Sequence, residues 1–116
     1  MIKSGCLIIL MTLFFGYVNG QSDIEGVWNT GRDNTLIDIQ LEKSEWVGKI
    51  KSSDNERAVI GKIILKELNK EGKKWKGQLF VAKRQKWFDV ELAPDGTTMK
   101  LVISAGFSKR NVEWLR

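Results

Sequence analysis

Residues 35–51 read TLIDIQLEKSEWVGKIK, and their alternation of apolar and polar side chains decides the fold class. Alternation at every second residue is typical of a β-strand with one buried face. Lys43 and Ser44 interrupt it, which predicts two antiparallel strands joined by a two-residue turn. A slip of one residue would turn every apolar side chain to the other face, so the register is well specified. It predicts three cross-strand pairs, namely Leu41 with Trp46, Ile39 with Gly48 and Asp38 with Lys49.

Similar alternating segments lie on both sides of this hairpin, separated by turn residues. We predict eight strands, at residues 26–30, 35–43, 45–51, 58–68, 74–82, 86–92, 98–104 and 110–115. A spacing of roughly 8–12 residues with turn signals between is typical of an all-β sandwich or barrel. Short antiparallel strands with one apolar face each lose their exposed edges when the sheet closes on itself. The predicted fold is therefore a small, all-β, eight-stranded antiparallel up-and-down barrel.

Two features of these strands leave alternatives open. Residues 59–68 read VIGKIILKEL and are apolar on both faces, so they form either a deeply covered strand or a helix fragment. The valine and three isoleucines favour a strand, because β-branched side chains suit the pleated backbone. Gly48, Gly61 and Gly77 fall within predicted strands, where they permit sharp bends or leave space for a ligand.

The first twenty residues are typical of a secretory signal peptide. Lys3 supplies a positive charge, residues 6–18 form an apolar run, and residues 18–20 (VNG) offer a small-residue exit. The run is shorter than the roughly 20 apolar residues that a transmembrane helix needs. We predict cleavage before Gln21, export to the periplasm or the extracellular space, and one β-barrel domain at residues 21–116. An uncleaved N-terminal anchor is the alternative.

Composition limits the chemistry of the exported part. Cys6 is the only cysteine and the chain has no histidine, so loss of residues 1–20 leaves neither. Disulfides, Ser-His-Asp and Cys-His arrangements are then excluded, and zinc loses its usual ligands. The acidic residues fall in turns or on outward strand positions, whereas hydrolysis by paired carboxylates needs two that converge. The sequence predicts a protein that is not an enzyme and has no cofactor or metal site.

The end of the chain, SKRNVEWLR at residues 108–116, combines apolar residues and arginines on one strand face. The residues that share this face are Arg110, Val112, Trp114 and Arg116. If the barrel closes, this strand neighbours Trp28, which would lie across the barrel floor with Arg110 or Arg116 stacked on its ring. A guanidinium over an indole gains cation–π attraction and keeps its charge near water. In the functional alternative, Arg110 pairs with a ligand carboxylate at the barrel mouth.

The chain has five tryptophans, and four of them fall on predicted inward faces. They either fill a small core or line an apolar pocket with a polar mouth. The interior of an eight-stranded barrel is just wide enough for side chains or for one small ligand. The candidate ligand-binding residues are Trp46, Trp75, Phe88, Met99, Trp114 and, at the mouth, Arg110. The candidate closure residues are Trp28, Arg110 and Arg116.

Outward-facing lysines on three consecutive predicted strands form what we call the lysine wall, which consists of Lys49, Lys51, Lys62, Lys66, Lys74 and Lys76. The lysine wall would contact an anionic membrane surface, or would serve solubility and edge protection. The basic stretches KKWK (residues 73–76) and KRQKW (residues 83–87) lie at opposite ends of one strand, about 25 Å apart. They do not make one nucleic-acid patch, and we predict no nucleic-acid partner and a monomer.

Five short motifs follow one another in a recognisable order. They are GVW at residues 26–28, GKI at 48–50, IGKI at 60–63, WKG at 75–77 and RNVEWLR at 110–116. The first motif and a late-strand arginine are similar to lipocalin and fatty-acid-binding barrels. The full set resembles the secreted bacterial family called domain of unknown function 2147, which commonly has a cysteine-containing insertion where this chain has SSDNERA at 52–58. The resemblance implies an exported lipocalin-like barrel and supplies no established activity.

The combined prediction is an exported, non-enzymatic β-barrel that binds a small apolar ligand or lipid in its interior. The alternative is a packed barrel that acts through its outer surface, as an envelope protein-interaction or inhibitor module. The interior volume distinguishes them, since a barrel without room for more than one or two waters cannot hold such a ligand.

Overall fold

The computed structural model describes residues 23–116, which form a closed barrel of eight antiparallel strands. Each strand pairs with its neighbours in the chain, and β1 meets β8 through the pair Asn29 and Leu115. The strands are β1 (Gly26–Asn29), β2 (Leu36–Glu42), β3 (Glu45–Ser52), β4 (Ile63–Glu71), β5 (Lys74–Val81), β6 (Lys86–Asp95), β7 (Thr98–Ala105) and β8 (Ser108–Leu115). The predicted all-β, eight-stranded antiparallel barrel is confirmed.

The predicted signal peptide at residues 1–20, and the predicted cleavage before Gln21, lie outside the described residues. Within residues 23–116, no helix is long and apolar enough to cross a membrane.

The β2–β3 hairpin has the predicted register. All three predicted cross-strand pairs are present. Lys43 and Ser44 form the turn with φ angles of 52° and 71°. Positive φ at both central residues is the feature of a type I′ turn, whose twist matches that of the flanking strands. Leu41 lies near the end of the hairpin and is 54% exposed, so the inward alternation ends before the turn.

β4 differs from the predicted strand at residues 58–68, since it begins at Ile63 and continues to Glu71. Val59 and Ile60 lie in the preceding loop and are each 60% exposed. The chain turns at Gly61, whose φ is +89° and whose N–H donates to the Ile50 carbonyl at 2.8 Å. Propensity favoured a strand here, but β-branching describes a fit to a pleated surface. The backbone instead forms local turns, with the Ala58 N–H donating to the Asn55 carbonyl and the Lys62 N–H to the Val59 carbonyl.

A bulge in β4 explains why its sequence is apolar on both faces. Glu67 has a φ of 56°, and the pairing of β4 with β5 shifts register between Lys66 and Asn69. An extra residue in one strand reverses the alternation beyond it. Leu65 and Leu68, three residues apart, are therefore both buried in the core.

The two ends of the barrel differ in what covers them. The closed end has the turns at residues 43–44, 72–73 and 96–97, together with residues 23–25. The open end has the connections at residues 30–35, 53–62, 82–85 and 106–107. The fully buried side chains of the core are Ile24, Trp28, Ile37, Ile39, Leu65, Leu92, Met99 and Leu101.

Two strand glycines allow close packing of the core against the barrel wall. A Cβ at Gly48 would lie 2.9 Å from Leu65 Cδ1, and one at Gly77 would lie 2.6 Å from Leu68 Cδ2 and 2.7 Å from the Lys66 carbonyl oxygen. These distances are shorter than van der Waals contact, so a larger residue would displace its neighbours. Leucine side chains occupy the space over both glycines, and no ligand space remains there. Gly61 lies in the loop and not in a strand.

Candidate functional site

The closed end is held by Arg116. Its guanidinium lies 4.2 Å from the centre of the Trp28 ring. Nη1 donates to the Glu25 carbonyl at 2.7 Å, Nε to the Gly96 carbonyl at 3.1 Å, and Nη2 to the Asp23 carbonyl at 3.3 Å. One side chain thus ties the start of the described chain and the β6–β7 turn to the last strand. Hydrogen bonds from a charged donor are stronger than those between neutral groups. These bonds and the cation–π contact together hold the end of β8 to the barrel floor.

Gly26 makes this arrangement possible. Its φ is +124°, a conformation that side chains with a Cβ rarely adopt, and a Cβ would lie 3.3 Å from Arg116 Nη1. Two residues later the Trp28 Nε1–H donates to the Ile24 carbonyl at 3.0 Å, which satisfies the only polar group of a fully buried ring. The GVW motif therefore builds the barrel floor together with Arg116.

Arg110 lies elsewhere, although it shares the strand face of Arg116. It pairs with Ile103 near the open end, six residues before Arg116 along the chain. Of the two arginines predicted for contact with Trp28, the structure places Arg116 on the ring and Arg110 at the rim of a cavity.

The cavity occupies the open half of the barrel and has a volume of about 350 Å³. Inward positions of β5 to β8 supply its apolar wall, because alternate residues of a strand face the same side. The apolar lining residues are Leu79, Val81, Phe88, Ile103, Ala105, Val112 and Trp114. The polar lining residues are Thr30, Arg32, Arg84, Ser108 and Arg110. Trp114 belongs to both the core and the lining, so its ring marks the boundary between them.

Three of the six predicted ligand-binding residues line this cavity, namely Phe88, Trp114 and Arg110. The other three lie toward the closed end. Trp75 is buried there, donates from Nε1 to Asp23 at 3.0 Å, and meets the Trp46 ring edge-on at 5.9 Å between centres. Met99 is fully buried opposite Trp114. The alternation of a strand shows which side chains face inward, but it does not show how far along the barrel axis each one lies.

Two kinds of lining residue were not among the predicted ligand-binding residues. Leu79, Val81, Ile103 and Val112 follow the same inward alternation as the residues that were chosen, so the pattern contained that signal. Arg32 and Arg84 lie in connections, where alternation does not apply, and only the closed barrel brings them to the mouth.

The mouth of the cavity is cationic. Arg32, Arg84 and Arg110 are exposed, and no Asp or Glu lines the cavity. Within residues 23–116 the ion pairs involve other residues, so these guanidiniums are not neutralised by a carboxylate. The Arg84 guanidinium lies 5.7 Å from the centre of the Phe88 ring, where the polar mouth meets the apolar wall. An apolar pocket with a few polar groups at its entrance is the usual form of a small-ligand site.

Five residues of the lysine wall lie on β3, β4 and β5, which are neighbours in the barrel. Lys62 was predicted to lie on a strand, but it ends the loop directly before β4. Three residues of the lysine wall pair with carboxylates: Lys49 with Glu42 at 2.8 Å, and Lys74 with Glu91 and Lys76 with Glu71 at 3.4 Å each. Such exposed pairs add little stability, but they reduce the net charge of this face.

Two more lysines of the lysine wall contact aromatic rings on the outer surface. Lys62 Nζ lies 3.8 Å from the centre of the Phe80 ring and Lys66 Nζ 4.1 Å from that of Trp87. The two rings meet edge-on with centres 5.5 Å apart. Trp87 thus lies on the outside, as the alternation of β6 indicates.

Neither possible metal ligands nor similar proteins assign a further site or a family to this chain. In the part of the chain that the structure describes, no group of three or more His, Cys, Asp or Glu side chains is placed to hold a metal ion. Comparison of the chain with protein-family models, with curated proteins and with solved structures finds no match. The resemblance to domain of unknown function 2147 and the absence of enzyme activity stay predictions.

Proposed function

We propose that this protein is an exported, non-enzymatic β-barrel that binds a small apolar or lipid-like ligand in the cavity of its open half. The observation that carries the proposal is an apolar cavity of about 350 Å³ with arginines at its mouth. A groove on the outer surface has a similar volume, but its lining includes Lys76, Asp89 and Glu91. The apolar wall of the cavity at the open barrel end, rather than its size, therefore favours the binding of an apolar ligand.

The size and charge of the cavity indicate the class of ligand. Its volume is at the small end of ligand pockets, which measure roughly 300–1,000 Å³. The apolar wall would hold a hydrocarbon group, and the guanidiniums would stay near water beside an anionic group. A short or medium-chain fatty acid combines these two features, with its chain toward Trp114 and its carboxylate near Arg110.

The test is a titration of the purified protein with saturated fatty acids of increasing chain length, monitored by tryptophan fluorescence. Because Trp114 lines the cavity, a bound chain changes the environment of its indole. We expect a saturable change that is strongest at one chain length and weaker for longer chains. A flat response at all chain lengths would contradict the proposal.

A matched pair of variants locates the site by calorimetry. Val112 lines the cavity, and Val112→Trp fills part of it, so we expect at least a tenfold loss of affinity. Val102→Trp adds the same ring to the outer face of neighbouring β7 and should leave the affinity unchanged. If Val112→Trp does not fold, Ile103→Phe serves the same purpose with a smaller increase in volume. Equal affinity for all folded variants would place the ligand elsewhere.

The carboxylate contact has a separate test. Arg110→Gln removes one positive charge at the cavity mouth. It should lower the affinity for the fatty acid by up to about fivefold, which is the limit for an exposed ion pair. The fatty alcohol of the same length should bind both proteins equally, because it has no charge. A parallel loss for acid and alcohol would assign Arg110 a packing role instead.

The alternative, in which a packed barrel acts through its outer surface as an envelope interaction or inhibitor module, has one feature in its favour. Phe80 and Trp87 lie half-exposed on the outside with Lys62 and Lys66 above their rings. The apolar lining of the cavity argues against this alternative, since a barrel that works only through its exterior needs no apolar space at its open end. Loss of partner binding in Trp87→Ala, with ligand binding unchanged, would favour it.

A further inference from the structure

Two adjacent turns at the open end concentrate positive charge around one exposed aromatic residue. We call this surface the basic rim, and it consists of Lys83, Arg84, Lys86, Phe107, Lys109 and Arg110. All six residues are exposed. Residues 82–88 and 105–112 contain five cations and no Asp or Glu. The nearest acid along β6 is Asp89, which lies below the two turns in an outer groove that it shares with Lys109. The pairing of β6 with β7 up to Asp89 and Ser104 brings the two turns side by side.

The charge is one-sided. The other two connections of the open end, residues 30–35 and 53–62, contain Asp33, Asp54 and Glu56 among their cations. They also bond to each other, through the Asp54 N–H to the Asp33 carbonyl at 2.8 Å and the Asn34 amide to the Asp54 carboxylate at 2.6 Å. The basic rim therefore forms a separate half of the mouth with an excess of positive charge.

Phe107 stands at the tip of the turn between β7 and β8 and is fully exposed. A turn position is served as well by Asn, Asp or Ser, so the backbone does not call for an aromatic ring. One exposed apolar residue is ordinary on a protein surface. An aromatic tip with five cations on its own and the adjacent turn, at the mouth of an apolar cavity, is not ordinary and points to a surface that offers anions and hydrocarbon together.

We propose that the basic rim docks the barrel on the anionic surface of a phospholipid bilayer, with Phe107 inserted among the headgroups and the cavity mouth facing the membrane. Lysine and arginine near such a surface are attracted to its anionic lipids, and exposed phenylalanine can bury its apolar ring at the boundary between headgroups and acyl chains. The inference goes beyond ligand binding and does not depend on it. Together with the proposed function, it gives an apolar ligand a path between bilayer and cavity that avoids water.

The shape of the rim favours a bilayer over an acidic protein. A stable protein interface buries about 800 Å² on each partner and has an apolar centre. The rim offers one exposed ring among exposed cations, which suits a fluid surface that rearranges around it. The proposal also places the membrane contact at the rim and not at the lysine wall, where five lysines already contact carboxylates or rings.

Binding of the protein, purified in its exported form, to vesicles tests the proposal. The vesicles are phosphatidylcholine alone, or phosphatidylcholine with phosphatidylglycerol, and bound protein is measured by flotation. We expect binding to the anionic vesicles that falls in high salt, since exposed charges are screened. The triple variant Lys83→Gln, Lys86→Gln and Lys109→Gln avoids every residue that lines the cavity. It should weaken binding on the order of a hundredfold, at about fivefold for each charge.

Two further variants separate the rim from net charge and from simple anion binding. The triple variant Lys43→Gln, Lys73→Gln and Lys100→Gln removes the same charge away from the rim and should have little effect. Phe107→Ser should weaken vesicle binding roughly tenfold, because the variant has no apolar ring to transfer from water into the bilayer. The residues before Asp23 are the same in all variants, so their own effect on vesicle binding cancels in the comparison.

Several outcomes would overturn the proposal. Equal loss in the two lysine triples would show that only net charge matters, and equal binding to neutral vesicles would remove the role of anionic lipid. If soluble polyglutamate binds as tightly as the vesicles and Phe107→Ser leaves both unchanged, the rim recognises acidic chains and not a bilayer. Because none of the substituted lysines lines the cavity, failure here leaves the fatty-acid titration unaffected.

Discussion

The two ends of the barrel use the same residue type in opposite ways. Arg110 and Arg116 lie on one face of β8 or directly after it, yet Arg116 donates to three backbone carbonyls and covers Trp28. Arg110 lines the cavity mouth and makes no ion pair within residues 23–116. The surrounding chain therefore decides the role of each arginine. At the closed end the carbonyls of residues 23, 25 and 96 occupy the guanidinium, and at the open end it remains available.

The packing of the two ends differs in the same sense. The fully buried side chains, from Ile24 to Leu101, lie toward the closed end or the middle of the barrel. The residues around the cavity are half-buried or exposed, apart from Leu79 and Trp114 at its inner side. We expect most of the folding stability to reside in the closed half, since stability follows buried apolar contact. A binding site in the open half can then change without loss of the fold.

The largest expected effect is on Trp28. Trp28→Ala removes a fully buried ring and its hydrogen bond to Ile24, and leaves a cavity in the floor. We expect a loss of about 3–5 kcal/mol in the free energy of unfolding, measured by denaturant titration followed by circular dichroism. Trp87→Ala on the outer surface is the matched control and should cost about 1–2 kcal/mol. Equal losses would contradict the view that the closed end holds the core.

A pair of residues on β7 compares the two halves directly. Leu101 is fully buried, whereas Ile103, two residues further toward the open end, lines the cavity. Leu101→Ala should cost about 2–4 kcal/mol, and Ile103→Ala about 1 kcal/mol, because one side of Ile103 already lacks packing partners. Thermal and denaturant unfolding of both variants measure this difference. A larger loss for Ile103→Ala would mean that the cavity collapses in solution.

The smallest effect separates the two arginines. Arg116→Ala should lower stability by about 1–2 kcal/mol, since the exposed guanidinium makes three hydrogen bonds and one cation–π contact. Arg116→Lys should recover only part of this loss, because an ammonium group cannot reach three carbonyls in a planar arrangement. Arg110→Ala should stay within about 0.5 kcal/mol of the unchanged protein. A stability loss at Arg110 similar to that at Arg116 would remove the distinction between the ends.

Local patterns predicted much of this fold. The β2–β3 register followed from alternation around Lys43 and Ser44, because a slip of one residue exposes an entire apolar face. The contact of a late arginine with Trp28 followed from closure of the barrel, which makes the first and last strands neighbours. Both inferences used a geometric rule with only one or two solutions.

Predictions were less accurate for strand boundaries and for the position of side chains along the barrel axis, where a local pattern allows several arrangements. Residues 58–62 have the composition of a strand, but the turn at Gly61 and the bulge at Glu67 moved β4 toward the closed end. The position of each inward residue along the axis was also undetermined. Trp46, Trp75 and Met99 face inward as expected but lie below the cavity, and Arg32 and Arg84 reach it from connections.

The fold class, the hairpin register and the inward or outward direction of most strand residues follow from local patterns, because alternation with a period of two is a local property of the chain. Which end is closed, where the cavity lies and which arginine remains available follow only from the assembled barrel. These depend on strand stagger and on contacts such as that of Arg116 with residues 23, 25 and 96, which join segments far apart in the chain. No local pattern specifies such contacts, since they form only when the barrel closes.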